Sequence, residues 1–149
     1  MSYTQSYYHI VFRTKHSEPT IPTDVERLLY HYLYTISENK GCKVFRIGGM
    51  PDHVHLFISL PSTLALSMYV KQLKESSSRW LCQNPQFPLF DGWATGYAAL
   101  SYSRRDKDMI VNYIMNQKKH HEHKTFREEY QQWLEEEGIE INHDYFLND

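Results

Sequence analysis

Apolar and polar residues alternate with period two over residues 6–13 (SYYHIVFR). This predicts a strand with Tyr8, Ile10 and Phe12 on one face and Tyr7, His9, Val11 and Arg13 on the other. A loop containing Pro19 and Pro22 follows, and then the period changes. Val25, Leu28, Leu29, Tyr32, Leu33 and Ile36 recur at helical spacing. They predict an amphipathic helix capped by Thr23 or Asp24, running to about residue 40 and stopped by Gly41. Residues 43–48 (KVFRIG) read as a short strand, GGMPD as a turn, and residues 53–60 as a second strand of clean alternation. In that strand Val54, Leu56, Ile58 and Leu60 share one face, and His53, His55, Phe57 and Ser59 share the other. Pro61 stops it, and Ser62 or Thr63 caps a second helix to about residue 82, with Leu66, Tyr69, Val70, Leu73, Ser77 and Trp80 as its inner stripe.

A Pro-rich loop (NPQFPLFDG) leads to a fourth strand at residues 95–102. Ser103 with Asp106 makes a capping-box start for a third helix reaching about residue 121. Phe126, Tyr130, Trp133 and Leu134 predict a short fourth helix that ends in a loose aromatic tail. The order β-α-β-β-α-β is that of an α+β, ferredoxin-like split βαβ fold: a four-stranded antiparallel sheet with two helices on one face. The two amphipathic helices are expected to cover Val54, Leu56 and Ile58. His53 and His55 then point to the opposite, open face, which needs cover from the third helix or from a partner chain. A single domain over residues 1–149 is expected, with a core at about 5–123 and a helical extension at about 124–149.

Composition narrows the class. The chain has 149 residues, 41% of them hydrophobic, enough for one core. No stretch approaches the ~18 apolar residues of a membrane span. The N-terminal MSYTQSYYHI has no signal-peptide pattern, and Cys42 and Cys82 form no CxxC pair, so a reduced cytoplasmic protein is the expectation. The formal net charge of −2 hides an asymmetry. Residues 1–121 hold 14 Lys/Arg and 9 Asp/Glu, whereas residues 122–149 hold 2 and 9. The basic body suits a phosphate-binding surface, and the acidic segment reads equally well as a solvated tail.

Two groups of residues carry candidate chemistry. His53 and His55, at i and i+2 of a strand, project side by side and can grip one divalent ion. By itself His-x-His is also a common structural pair. In NYIMNQ, Tyr113 and Gln117 lie at i and i+4 of a helix; a phenol can act as a covalent nucleophile and an amide oxygen can bind a hard metal. The chain has 12 tyrosines, so spacing alone does not single out Tyr113. HHEH at 120–123 reads as a metal-binding run or as a basic helix end. Lys71, Lys74 and Arg79 on the second helix, and Arg104, Arg105 and Lys107 before the third, are candidate DNA-backbone contacts. Trp93 and Tyr97 are candidates for stacking on bases or for core packing.

The segments GGMPDHVHLFISLP, SMYVKQLKESSSRWL, GWATGY and IVNYIMNQKKHH, in this order and spacing over about residues 5–125, resemble the HUH transposases of insertion-sequence family 200/605 and the repeat-associated tyrosine transposases. His53-Val54-His55 matches the family's HUH motif, Tyr113 its nucleophile and Gln117 its additional metal ligand. The resemblance implies a DNA transposase that cleaves and rejoins single-stranded DNA through a 5′-phosphotyrosine. It implies Mg²⁺ or Mn²⁺, hairpin-containing DNA ends and a homodimer in which the tyrosine helix can serve the His pair of the other subunit. Imidazole and amide ligands do not themselves distinguish these ions from zinc. His9 and Arg13 share the sheet face of the His pair and can orient a phosphate, though ordinary sheet packing explains them about as well. The acidic segment lies in a region to which the resemblance assigns nothing.

Other classes fit less well. A non-catalytic single-stranded nucleic-acid-binding module, such as a domesticated transposase, is the alternative. An RNA-binding sheet would need exposed aromatics where this strand has His53 and His55. A histidine-triad hydrolase would need a third alternating His where Phe57 stands. A two-His phosphoesterase needs His-x-Thr/Ser motifs that HVHL does not supply. A zinc hydrolase would need HExxH or a nearby carboxylate.

Overall fold

A computed structural model describes residues 1–143 and 146–147. Four strands, β1 (Tyr7–Arg13), β2 (Lys43–Met50), β3 (His53–Ser59) and β4 (Ala98–Tyr102), form one sheet in the order β2-β3-β1-β4. All its pairings are antiparallel. Helices α1 (Glu26–Asn39) and α2 (Leu66–Cys82) connect the strands in the order expected for the ferredoxin-like fold. Their stripes, including Leu29, Leu33, Tyr69, Val70 and Leu73, bury Ile10, Phe12, Val54, Leu56 and Ile58. Each such aliphatic side chain taken from water contributes about 1.5–3 kcal/mol. Strand alternation therefore sends His53, His55 and Phe57 to the other face. No helix among the described residues is long and apolar enough to cross a membrane.

The face expected to be open is covered by the chain itself. The expected long third helix is divided into a 3-10 turn (Arg104–Asp106), α3 (Lys107–Met115) and α4 (Gln117–His120). Asn116 stands between α3 and α4 with φ −98° and ψ 18° and bonds back to the Asn112 carbonyl through its side chain. Ser103 and Asp106 make the anticipated capping box. Ile110 and Ile114 of α3 close over Phe57. Helix α5 (Phe126–Glu136), held by a capping box of Thr125 and Glu128, completes the cover. The expected aromatic tail lies partly outside the described residues; Phe146, within them, meets the Tyr130 ring edge-on at 5.7 Å.

Several boundaries differ from the sequence reading. β2 continues to Met50, two residues beyond the expected end at Gly48, through Gly49 and Met50 that were expected in the turn. A Cβ on Gly48 would stand 2.9 Å from Ile114 Cγ2, and one on Gly49 would stand 2.2 Å from the His53 carbonyl oxygen. These glycines thus let α3 and β3 approach β2 closely. α1 and α2 start at Glu26 and Leu66, and neither has a side-chain cap at its N-terminus. β4 begins at Ala98 because the preceding loop is tied to α2, where Lys74 Nζ donates to the carbonyls of Ala94 and Gly96.

Candidate active site

The pleat of β3 places two imidazoles on one face, and neighbouring groups orient them. His53 Nδ1 lies 2.7 Å from the Asp52 carboxylate, which aims Nε2 into the interior. His55 Nδ1 and His9 Nε2 share a hydrogen bond of 2.8 Å, which likewise leaves His55 Nε2 facing inward. His9 sits one diagonal step away across the β1–β3 pairing, where Val11 is directly opposite His55. Both His53 and His55 are buried, and His55 Nε2 has no hydrogen-bond partner. A buried polar atom left in this way costs stability unless something binds it.

α3 and α4 bring the other two candidates to the same place. Gln117 is buried, with its amide oxygen 3.1 Å from His53 Nε2. The Tyr113 ring lies 5.8 Å from the His55 ring and 6.0 Å from the His9 ring, centroid to centroid. The His pair, the tyrosine and the glutamine thus assemble within one chain, although the helix bearing the last two is interrupted between them.

The sequence reading missed the residue at the centre of this cluster. Glu129 of α5 is the buried acidic side chain among the described residues. Its Oε1 lies 3.4 Å from Nε2 of both His53 and His55 and 3.1 Å from Nε2 of His121. Its Oε2 accepts hydrogen bonds from the Tyr113 hydroxyl and, at 3.0 Å, from the Gln117 amide nitrogen. Ligand atoms of His53, His55 and Glu129 lie within 4.8 Å of one another, so these three could hold a metal ion. His121, within HHEH, also belongs to this cluster, its ring 4.9 Å from that of His53.

The electrostatics follow from burial and pairing. Burial raises the Glu129 carboxyl, but the imidazoles of His121, His53 and His55 around it outweigh burial and hold the group far below the usual carboxylate range. Burial opposes charge on His53, yet Asp52 and Glu129 more than compensate and raise it. His55 is pushed down to about 4, mainly by burial. His9 goes down by burial and by its neighbour His55. Tyr113 is pushed up, first by burial and then by the Glu129 charge, which favours the neutral phenol. The set is thus an anion facing imidazole nitrogens, an arrangement suited to a cation.

A groove of about 760 Å³ runs between α3–α4 and α5 and reaches Tyr113, His9 and Glu129. Lys119, His120, His123 and Lys124, together with Glu136 and Glu137, also line it. The remaining sequence candidates are dispersed. Arg13 is buried, donating to Ser17 Oγ at 3.1 Å, and pairs with His53 across the strands. Arg104 and Arg105 are exposed at the start of the tyrosine helix, and Lys107 lies over the Phe45 ring. Lys71 and Arg79 are exposed on α2, across the sheet from the His pair. Trp93 packs on Phe12 and donates to Ser77 Oγ, whereas Tyr97 is exposed.

Known proteins share this fold and much of this sequence. Residues 2–117 match the family described as Transposase IS200 like, a span that includes His53, His55, Tyr113 and Gln117 and ends before α5. The ISDra2 transposase TnpA of Deinococcus radiodurans is 31% identical over 118 residues, covering 76% of this chain and 84% of the relative. A crystal structure of a protein from the same species, described as a transposase, superposes with a TM-score of 0.59 at 26% identity, covering 78% of this chain and 93% of the other. A REP-associated tyrosine transposase bound to a REP hairpin superposes at TM-score 0.61 and 14% identity, covering 81% of this chain and 72% of the other, a likeness of fold. With the match spanning most of its length, this chain belongs to the family of IS200-like transposases, enzymes that cut DNA.

Proposed function

We propose that this protein cleaves and rejoins single-stranded DNA through a covalent bond between Tyr113 and a 5′-phosphate. The observation that carries this reading is the convergence of the Tyr113 phenol and the inward Nε2 atoms of His53 and His55 on one buried point. The sequence reading assigns a divalent ion, Mg²⁺ or Mn²⁺, to His53, His55 and Gln117. The orphaned His55 Nε2 and the inward Gln117 amide oxygen fit such an ion. When bound, the ion would polarise the scissile phosphate and offset charge in the transition state.

The protein's own groups then do the rest. Tyr113, held on α3, attacks the phosphorus in line, and the departing strand leaves with a 3′-hydroxyl. The new phosphodiester retains the energy of the old one, so another 3′-hydroxyl can reverse the step and join different ends without ATP. Asp52 and His9 fix the orientation of the imidazoles. Positioning of this kind supplies much of the acceleration in phosphoryl transfer.

The groove beside α4 offers a path for the strand, with Lys119 and Lys124 against its phosphates. Arg104 and Arg105, exposed at the start of the tyrosine helix, are further candidates for phosphate contact. Lys71, Lys74 and Arg79 would meet only a hairpin stem that wraps onto the helical face, and Arg13 would act from beside His53 on the shared sheet face. A hairpin-bearing substrate is in keeping with the hairpin held by the REP-associated relative. Two copies would provide two nucleophiles for two DNA ends.

The test offers hairpin-containing oligonucleotides and Mg²⁺ or Mn²⁺ to the wild-type protein and to Tyr113→Phe. A denaturing gel should show a protein–DNA adduct with the wild type alone. An adduct formed equally by Tyr113→Phe would remove the nucleophile assignment. Binding of the oligonucleotide without any adduct from the wild type would favour the non-catalytic binding module.

A further inference from the structure

We propose that Glu129 is itself a ligand of the divalent ion and also holds the Tyr113 hydroxyl, so that the acidic C-terminal helix is a working part of the active site. This rests on the reading of His53 and His55 as ion ligands. It adds a residue that lies beyond the span matched to the family, 12 positions after the end of the match.

Three features of the site support the assignment. The first is aim. One oxygen of Glu129 stands 3.4 Å from both His53 Nε2 and His55 Nε2. Neighbouring donors of an octahedral ion with bonds of about 2.1 Å stand about 3 Å apart, so these separations need close by only a few tenths of an ångström to seat Mg²⁺ or Mn²⁺. The second is an unmet need. His55 Nε2 is buried without a partner, and the Gln117 amide oxygen faces His53 Nε2. A cation that takes the place of the proton on His53 Nε2, with the Nδ1 proton kept toward Asp52, would bind both imidazoles and the amide oxygen at once. The third is charge. Two imidazoles and an amide are a neutral set, whereas magnesium and manganese favour anionic oxygen. Two imidazoles and a carboxylate on one side of an ion also leave open positions for a phosphate.

The second oxygen gives the same residue its other contact. Oε2 accepts from both the Tyr113 hydroxyl and the Gln117 amide. One carboxylate therefore spans the ion position and the nucleophile, and α5 fixes the distance between them. Its capping box at Thr125 and the burial of Phe126 and Leu134 hold the helix in that place. Phe126 stacks on the His53 ring at 4.2 Å and Trp133 lies 4.6 Å from the His9 ring, so α5 packs directly on the ligand shell.

The experiment is a Mn²⁺ titration of the full chain without DNA, in which electron paramagnetic resonance reads the free ion. Wild type, His55→Ala, Glu129→Gln, Glu129→Asp, Tyr113→Phe and the exposed control Glu135→Gln are compared, with circular dichroism confirming the fold of each. The inference expects one bound ion in the wild type, affinity weakened at least about tenfold in Glu129→Gln, and partial recovery in Glu129→Asp. Tyr113→Phe and Glu135→Gln should bind as the wild type does. If His55→Ala loses the ion while Glu129→Gln binds it normally, Glu129 is no ligand, although the His pair stands. If Glu129→Gln also forms more DNA adduct at unchanged affinity, the residue is a plug over the site and the proposal is overturned. Failure of the wild type to bind, or normal binding by His55→Ala, would defeat the underlying metal reading together with it.

Discussion

At the scale of single residues, the polar groups of the core are as specific as those of the site. Ser37 Oγ and the Tyr69 hydroxyl are 2.6 Å apart, and both residues are completely buried. Tyr69→Phe leaves the serine without its partner and should cost about 1–3 kcal/mol, read as a lower urea midpoint at unchanged slope. The two thiols should also separate. Cys82 is exposed, whereas Cys42 is buried and its thiol is pushed up to about 11, chiefly by burial and then by Glu38. Iodoacetamide at pH 8 should therefore label Cys82 and spare Cys42 until the protein unfolds. Because the neutral thiol is the favoured folded form, its contribution to stability is complete below about pH 8.5. It is lost as the pH rises to about 11, and Cys42→Ala should flatten that part of the stability curve. The His pair was legible because a strand alternates with period two, so neighbours at i and i+2 must share a face. Glu129 was not legible, since it is one of nine acidic residues in the last 28 and no local period distinguishes it. What selects it is the long-range packing of α5 on the sheet.

Among the elements, the outcome turned on close approach. The sheet and its two covering helices follow from apolar periodicity, and the structure has them in the expected order. The GG pair at 48–49 was expected to open a turn at the strand's end because a glycine that permits a tight turn and one that admits a neighbour look alike in sequence. Their structural use leads to a test. Gly48→Ala would place a methyl group against Ile114 Cγ2 and the Ile114 carbonyl oxygen, each 2.9 Å from the new carbon. α3 would have to lift from β2, at a cost of about 1–3 kcal/mol. Tyr113 rides on that helix one residue before Ile114, so adduct yield should fall more than global stability does. A thermal melt and a gel assay on the same preparation check this, and a variant that melts lower but forms adduct as fast as the wild type would contradict it. The break at Asn116 was also hidden, because the apolar pattern of residues 107–121 has no Pro or Gly to mark it. Thr125→Ala should loosen α5 by about 1 kcal/mol through loss of its cap. Hydrogen exchange should then quicken in α5 while β1 and β3 keep their protection.

For the whole molecule, the question is which chain completes the site. The sequence left two covers for the His face, the chain's own third helix or a partner. The structure closes the face with α3, α4 and α5 of the same chain, and it folds the acidic segment inward at Glu129 while Glu136 and Glu137 line the groove. Charges segregated along the sequence therefore meet in one groove, which Lys119 and Lys124 line together with those carboxylates. Assembly in one chain has a consequence that can be measured whatever the oligomeric state. A mixture of Tyr113→Phe and His55→Ala chains contains no copy in which an intact His pair faces an intact tyrosine of its own chain. If sites form within chains, the mixture should give no more adduct than the two variants alone. If the tyrosine helix crossed to the partner's His pair, a mixed dimer would hold one complete site, and an equimolar mixture allowed to exchange subunits would recover about a quarter of wild-type activity. Recovery at that level would mean that the α3–α4 segment swings across to a second copy in the working enzyme, carrying Tyr113 and Gln117 away from the Glu129 they contact here.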